Sequence, residues 1–400
     1  MSAQPTRAQR IPATAMRLPR IDPLGALVSV VGAVALLWLP FAVFKPNRVL
    51  PGDSHALAQV LPPSATLGCL LVLMLVALTA LGVGNAWLRL AAALLGLIAV
   101  SAAIAAAGNL LTPPGNKVVR VAPGSGFWVL LLAIGLMATD AITRLRPRPI
   151  VRVLMLALFA AIACLALAHG VFDNLSVMRE YAVNADRFAH ELRRHLALAL
   201  GSLGAAVVVA LPLGIVCHQV PRLRAGILGA LNVVQTIPAI ALYGILMAPL
   251  GALAAAVPLA ARLGISGIGA APALLALFLY SLLPVVANTV AGLARVSPAA
   301  VEAARGMGMT RRQTLTGVEL VLALPTILTG IRIVLVQNIG LVTIAALIGG
   351  GGLGVFVFQG IGQTAIDLVL LGAIPTVALG FTAAVLLDAL VETMHRSREP

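Results

Sequence analysis

Side chains able to carry bond-making chemistry are few in this chain, and their spacing argues against catalysis. His55, His169, His190, His195, His218 and His395 are scattered among loops and the ends of apolar runs, with no metal-ligand pairing. His190 and His195 share one segment but stand five apart, off a common helical face. Cys69, Cys164 and Cys217 lie in or beside apolar runs and read as small apolar fillers, so no metal site is expected. Gly349, Gly350, Gly351, Gly352 and Gly354 are dense enough to suggest a phosphate loop. They follow no strand and lack a Lys-Ser/Thr partner, so the chain has no means of hydrolysing nucleotide itself. What remains is recognition chemistry, concentrated in SPAAVEAARGMGMTRRQTLTGVELVLALP, residues 297–325. Ser297 is a helix cap with Pro298 at the first position, where a missing N–H costs nothing. Gly306 and Gly308 allow a sharp break. Thr310 and Gln313 have capping-box spacing for a second helix. The expectation is two short, angled, charged helices at a membrane surface, or in the plainer reading a polar connector.

The elements that must position this segment are membrane spans. The chain has 400 residues, 60% hydrophobic and 10% charged, with mean hydropathy +1.05. That balance defines an all-α polytopic membrane protein. Ten spans are expected, at 24–44, 65–83, 87–107, 126–142, 150–169, 196–217, 224–249, 268–292, 321–348 and 363–390. The first is read as an uncleaved span behind Arg7, Arg10, Arg17 and Arg20. The net charge of +14 does not imply nucleic acid: its basic residues fall in alternate loops, and aromatics are only 4%. With the N-terminus inside, seventeen basic residues fall inside and nine outside, leaving Arg332 within a span and free to snorkel. Both termini and the Glu302 segment are therefore expected in the cytoplasm.

Three regions are expected: a membrane extension of about five helices at 1–173, an external amphipathic linker at 174–195, and a core at 196–395 holding the polar loop 295–320. The core carries polar groups within or near its spans, Gln235, Thr236, Asn288, Thr289, Gln337 and Asn338 with Tyr243 and Tyr280, and helix-breaking Pro212 and Pro238. Two readings stand for them. They line a pathway for a polar solute, or they hydrogen-bond helix to helix. Gly349–Gly352 likewise read as an outer gate, a contact for an external protein, or a tight turn.

The spacing Glu302-Ala303-Ala304, then Gly308, resembles the EAA loop of binding-protein-dependent ABC importer permeases. Residues 195–391 resemble the permease subunit of osmoprotectant importers for glycine betaine, choline, carnitine or proline betaine. The phrases HLALALGSLGAAVVVALPLGI (195–215), NVVQTIPAIALYGIL (232–246), LFLYSLLPVVANTVAGL (277–293) and ALPTILTGIRIVLVQNIGLVTIAALIGGGGLG (323–354) carry it. One departure is that Leu324-Pro325 follows Leu320 four residues late. The resemblance implies a five-span permease core paired with a second permease, two cytoplasmic ATPases and an external binding protein, in a bacterial inner membrane. It implies that the loop, through Glu302, Ala303, Ala304, Gly308, Arg311 and Arg312, docks on an ATPase. ATP and magnesium would be held by that partner, and this chain would bind no cofactor and be no enzyme.

A secondary carrier usually keeps a carboxylate at membrane depth, whereas Asp140, Glu319, Asp367, Asp388 and Glu392 fall near span ends. Drive by a separate ATPase fits better. A quaternary ammonium is normally held by an aromatic cage, and Tyr243 and Tyr280 are too few to build one. Selectivity is therefore expected to rest with the external binding protein. Uptake of another small solute, such as an amino acid, remains the alternative.

Overall fold

Proline positions govern how these apolar runs divide into helices. A computed structural model describes residues 22–47, 52–82, 84–116 and 118–396. Arg7, Arg10, Arg17, Arg20, Arg48, Lys117 and Arg398 of the charge count lie outside the described residues. The chain forms two compact units, residues 1–146 and 147–400.

In the first unit Asp22 caps α1 (Pro23–Trp38), accepting from the Leu24 N–H at 3.1 Å. The helix ends earlier than the expected 44 because Pro40 forces Leu39 into extended backbone. The chain then enters β1 (Ala42–Lys45), the centre of an antiparallel sheet with β2 (Asp53–His55) and β3 (Arg120–Pro123), which the composition did not suggest. Ala42 stands opposite both His55 and Pro123. One turn, α2 (Leu57–Val60), leads to α3 (Pro63–Gly82), α4 (Ala86–Leu111) and, after β3, α5 (Ser125–Leu145). Arg89, 1% exposed, is paired with Asp22 at 2.6 Å and Asp140 at 3.1 Å, and Arg144 bridges the same two acids. Burial pushes the Asp22 carboxyl up, but the two guanidiniums outweigh it and hold it below its usual value.

The second unit begins with α6 (Pro149–Ala168), then α7 (Ser176–Gln219), 44 residues long. The segment expected as a separate external linker is thus the first half of this helix, bent at Asn184 where the backbone leaves helical geometry. Pro212 does not interrupt it. The expected seventh span is instead two helices, α8 (Pro221–Thr236) and α9 (Ala239–Ala256), divided at Ile237-Pro238. A short α10 (Pro258–Arg262) precedes α11 (Ala270–Ala294), which packs between α7 and α14 at the centre of the unit. The polar segment holds α12 (Pro298–Gly306) and α13 (Arg311–Thr314), and a π-turn at Leu315–Glu319 feeds α14 (Leu320–Ala345). α15 (Gly354–Gly362) and α16 (Ile366–Arg396) complete the chain.

Among the described residues nine helices are long and apolar enough to cross a membrane; α1, at 16 residues, is shorter. The second unit's core is built from Leu198, Leu242, Tyr243, Leu277, Tyr280 and Val342, with a second cluster around Val285, Val286 and Val334.

Candidate functional site

The polar segment folds from its own caps. The Ser297 hydroxyl accepts from the Ala300 N–H at 3.3 Å, and Pro298 opens α12. Gly308, at φ +86°, turns the chain through left-handed backbone that suits glycine. The Met309 N–H then closes back on the Ala304 carbonyl at 3.1 Å, ending the helix in a Schellman turn. The Thr310 hydroxyl accepts from the Gln313 N–H, and the Gln313 side chain accepts from the Thr310 N–H at 2.8 Å, completing the expected capping box. Gly306, expected to help the break, is the last residue of α12 and needs no unusual backbone. Ala304 and Thr314, each 1% exposed, are the buried residues of the two short helices. Glu302, Ala303, Arg305, Met307, Arg311 and Arg312 are exposed, so one face of the elbow is charged, with a bare Met307 at its tip. The π-turn, which periodicity did not signal, joins the elbow to α14 without a loop.

The polar groups of the core mostly bind other helices. Asn338 has no exposed surface and donates to the Ser202 hydroxyl of α7 at 2.9 Å and the Ser281 hydroxyl of α11 at 3.0 Å. The Tyr243 hydroxyl donates to the Leu341 carbonyl at 3.1 Å. The Tyr280 hydroxyl donates to the Ile237 carbonyl, which the break before Pro238 deprives of its helical partner. Gln235 donates to the Tyr280 carbonyl. Tyr243, Tyr280 and Asn338 are buried, so in this conformation they serve as helix-to-helix contacts and give a solute nothing to touch. Thr236 and Pro238 are exposed, and Gln235 and Asn288 half-buried; the Asn288 amide donates to the Pro284 carbonyl at 2.8 Å.

Arg332, expected to be free to snorkel, has an acidic partner. It pairs with Asp388 of α16, and the same carboxylate accepts from Arg152 of α6 at 2.8 Å. Arg152 also meets Glu392, so two arginines face two acids and the cluster is neutral.

Gly349–Gly352 lie at the end of α14 opposite the elbow. Gly349, Gly351 and Gly352 have φ of +77°, +79° and +87°. The turn is held by side chains that sequence reasoning passed over. Glu191 accepts from the Gly352 N–H at 2.6 Å, and His195 accepts from the Leu353 N–H at 3.2 Å. The available signal was that Glu191 and His195 stand four apart, one turn of one helix face.

With this geometry in hand, comparison with known proteins gives the chain's relations. A family described as the inner membrane component of binding-protein-dependent transport systems matches residues 210–396. A second, described as ABC transporter permease YehY, N-terminal domain, matches residues 22–178. Over 212 residues the chain is 40% identical to the osmoprotectant import permease protein OsmW of Salmonella typhimurium, covering 53% of this chain and 92% of that protein. The choline transport system permease protein OpuBD of Bacillus subtilis is 36% identical over 225 residues, covering 56% and 91%. The carnitine transport permease protein OpuCD of Listeria monocytogenes is 35% identical over 216 residues, covering 54% and 90%. Among solved structures, the inward-facing MetNI methionine ABC transporter matches with TM-score 0.46 and 20% identity over 52% of this chain and 95% of that one. The fold and these matches define a multi-pass transport permease. The chain belongs to the permease family of binding-protein-dependent ABC importers, among the relatives named for osmoprotectant uptake.

Proposed function

We propose that this chain forms the membrane path of an ATP-driven importer for a small osmoprotectant of the quaternary-ammonium class, such as glycine betaine. A separate cytoplasmic ATPase pair supplies the energy, a second permease completes the path, and an external binding protein delivers the solute. The observation that carries this reading is the elbow at 297–319: a doubly capped, solvent-exposed helix–Gly–helix joined without a loop to α14. A connector needs neither the caps nor the charged face. In this reading Glu302, Ala303, Arg311 and Arg312 meet the ATPase, while Ala304 and Gly308 keep the elbow bent. A push on the elbow passes into α14 because no slack separates them. The solute class follows the relatives' names, and the scarcity of aromatics for a cage leaves selectivity to the external binding protein. The break between α8 and α9, where Gln235, Thr236 and Pro238 keep some exposed surface, is the part of the polar set best suited to face a solute. The basic-residue bias argues for cytoplasmic termini, with the Gly349–Gly352 turn then at the outer face.

The test is purification from the native membrane followed by reconstitution. An ATPase carrying a P-loop should co-purify, and proteoliposomes should accumulate radiolabelled glycine betaine only with ATP inside the ATPase-bearing compartment. Glu302→Lys should lower uptake at least tenfold with unchanged membrane insertion. Full uptake by that variant, or accumulation without any ATPase, would overturn the reading. Uptake of an amino acid in place of glycine betaine would keep the machinery and change the cargo.

A further inference from the structure

The Gly349–Gly352 turn is fastened in an unusual way. Turns between helices are normally satisfied by their own backbone, by small polar side chains or by water. Here one turn of α7 grips the next element at three points. Glu191, 8% exposed, accepts from the Gly352 N–H at 2.6 Å. His195, with no exposed surface, accepts at Nδ1 from the Leu353 N–H at 3.2 Å. Its Nε2 lies 3.0 Å from the Ile339 carbonyl, which can only accept, so the ring is neutral with its proton on Nε2. Arg194 donates to the Gly349 carbonyl at 3.2 Å. Gly352 and Leu353 lead directly into α15, so the carboxylate and imidazole of α7 cap another helix's N-terminus. Arg187, one turn before Glu191 on α7, reaches Gln359 of α15 at 2.9 Å.

A buried carboxylate is an expensive way to hold a turn. The arrangement gains meaning from what it joins. α7 runs unbroken from this grip to Gln219 at the far end of the unit, while His195 ties together α14, through Ile339, and the start of α15. We infer that Glu191 and His195 are positioning residues for transport: their grip on Gly352 and Leu353 is a latch that keeps the glycine turn closed until α7 tilts. The inference rests on the importer reading of the chain. Without the latch, α15 and the turn move independently of α7, and ATP is hydrolysed without productive uptake.

The experiment uses the full importer in proteoliposomes, with Cys69, Cys164 and Cys217 replaced by Ala and a reporter at Leu353→Cys, a position with no exposed surface. Permeant N-ethylmaleimide reports opening of the turn independently of sidedness and of transport. In an otherwise unaltered chain, radiolabelled glycine betaine taken up per ATP hydrolysed reports coupling. Glu191→Ala and His195→Ala should raise the labelling rate at least fivefold and lower uptake per ATP at least fivefold. Glu191→Gln keeps an acceptor for Gly352, and His195→Gln offers one acceptor and one donor, so both should stay within twofold of the parent. Alanine variants that label at the parent rate overturn the latch. So do alanine and glutamine variants that fail alike, with less protein in the membrane, because that pattern describes a purely structural role. If the parent accumulates neither glycine betaine nor an amino acid with ATP yet the labelling pattern holds, the turn is latched as described and it is the importer reading that falls.

Discussion

Asn338 illustrates what a polar side chain does inside an apolar bundle. Its amide joins α14 to α7 and α11 through Ser202 and Ser281, yet each serine also donates to its own helix, Ser202 to Leu198 at 2.7 Å and Ser281 to Leu277 at 2.6 Å. Removing the amide therefore orphans little. Asn338→Ala should cost only about 1 kcal/mol, in line with hydrogen bonds between membrane helices. Thermal unfolding in detergent should show a small drop, with uptake retained; loss of uptake in well-folded protein would return Asn338 to the pathway. Tyr280 is different, because among the described residues its hydroxyl is what the Ile237 carbonyl accepts from at the α8–α9 break. Tyr280→Phe leaves that carbonyl unpaired and should cost about 1–3 kcal/mol. The same melting experiment decides it, and a Tyr280→Phe protein as stable as the parent would mean the break satisfies itself. Both partners were invisible in the sequence. Polar type and apolar surroundings could be read from it, but the choice between pathway and packing depends on a neighbour dozens of residues away.

Among the elements, local chemistry was legible and distant chemistry was not. Ser297, Pro298, Gly308, Thr310 and Gln313 declare the elbow because caps and turns act within four residues. The prolines do not declare their effects so plainly. Pro212 leaves α7 continuous, whereas the chain divides at Pro238, where a tyrosine from α11 takes the carbonyl released. The Glu191–His195 grip was missed for the same reason: its partners are backbone N–H groups more than 150 positions away. The elbow itself makes a sharp prediction. Gly308 sits at φ +86° and Gly306 in ordinary helix, so the same substitution should act differently at the two sites. Gly308→Ala should strain the turn by about 1–2 kcal/mol, straighten the elbow and lower ATP-driven uptake severalfold. Gly306→Ala should be neutral. Equal effects in a paired uptake assay would mean that the bend is irrelevant to coupling.

At the scale of the whole molecule, charge and relatives both bear on which part transports. Asp388 stands between Arg332 and Arg152 in a neutral cluster tying α14, α16 and α6 together. Asp388→Asn should leave excess positive charge in the cluster and lower the melting temperature, and Arg332→Gln added to it should recover part of the loss. A double mutant no better than the single would mean the pair is not coupled. The cluster belongs wholly to the second unit, as do the elbow and the latch. The osmoprotectant permeases match this chain over about nine tenths of their own length but only about half of it. A chain beginning at Pro147 keeps α6, the neutral cluster and every contact of the core. It should insert, recruit the ATPase and take up glycine betaine at a rate within a few-fold of the full chain. Failure to insert would make the first unit a folding requirement. Insertion with ATPase binding but no uptake would give that unit a part in transport that the packing of the second unit does not reveal.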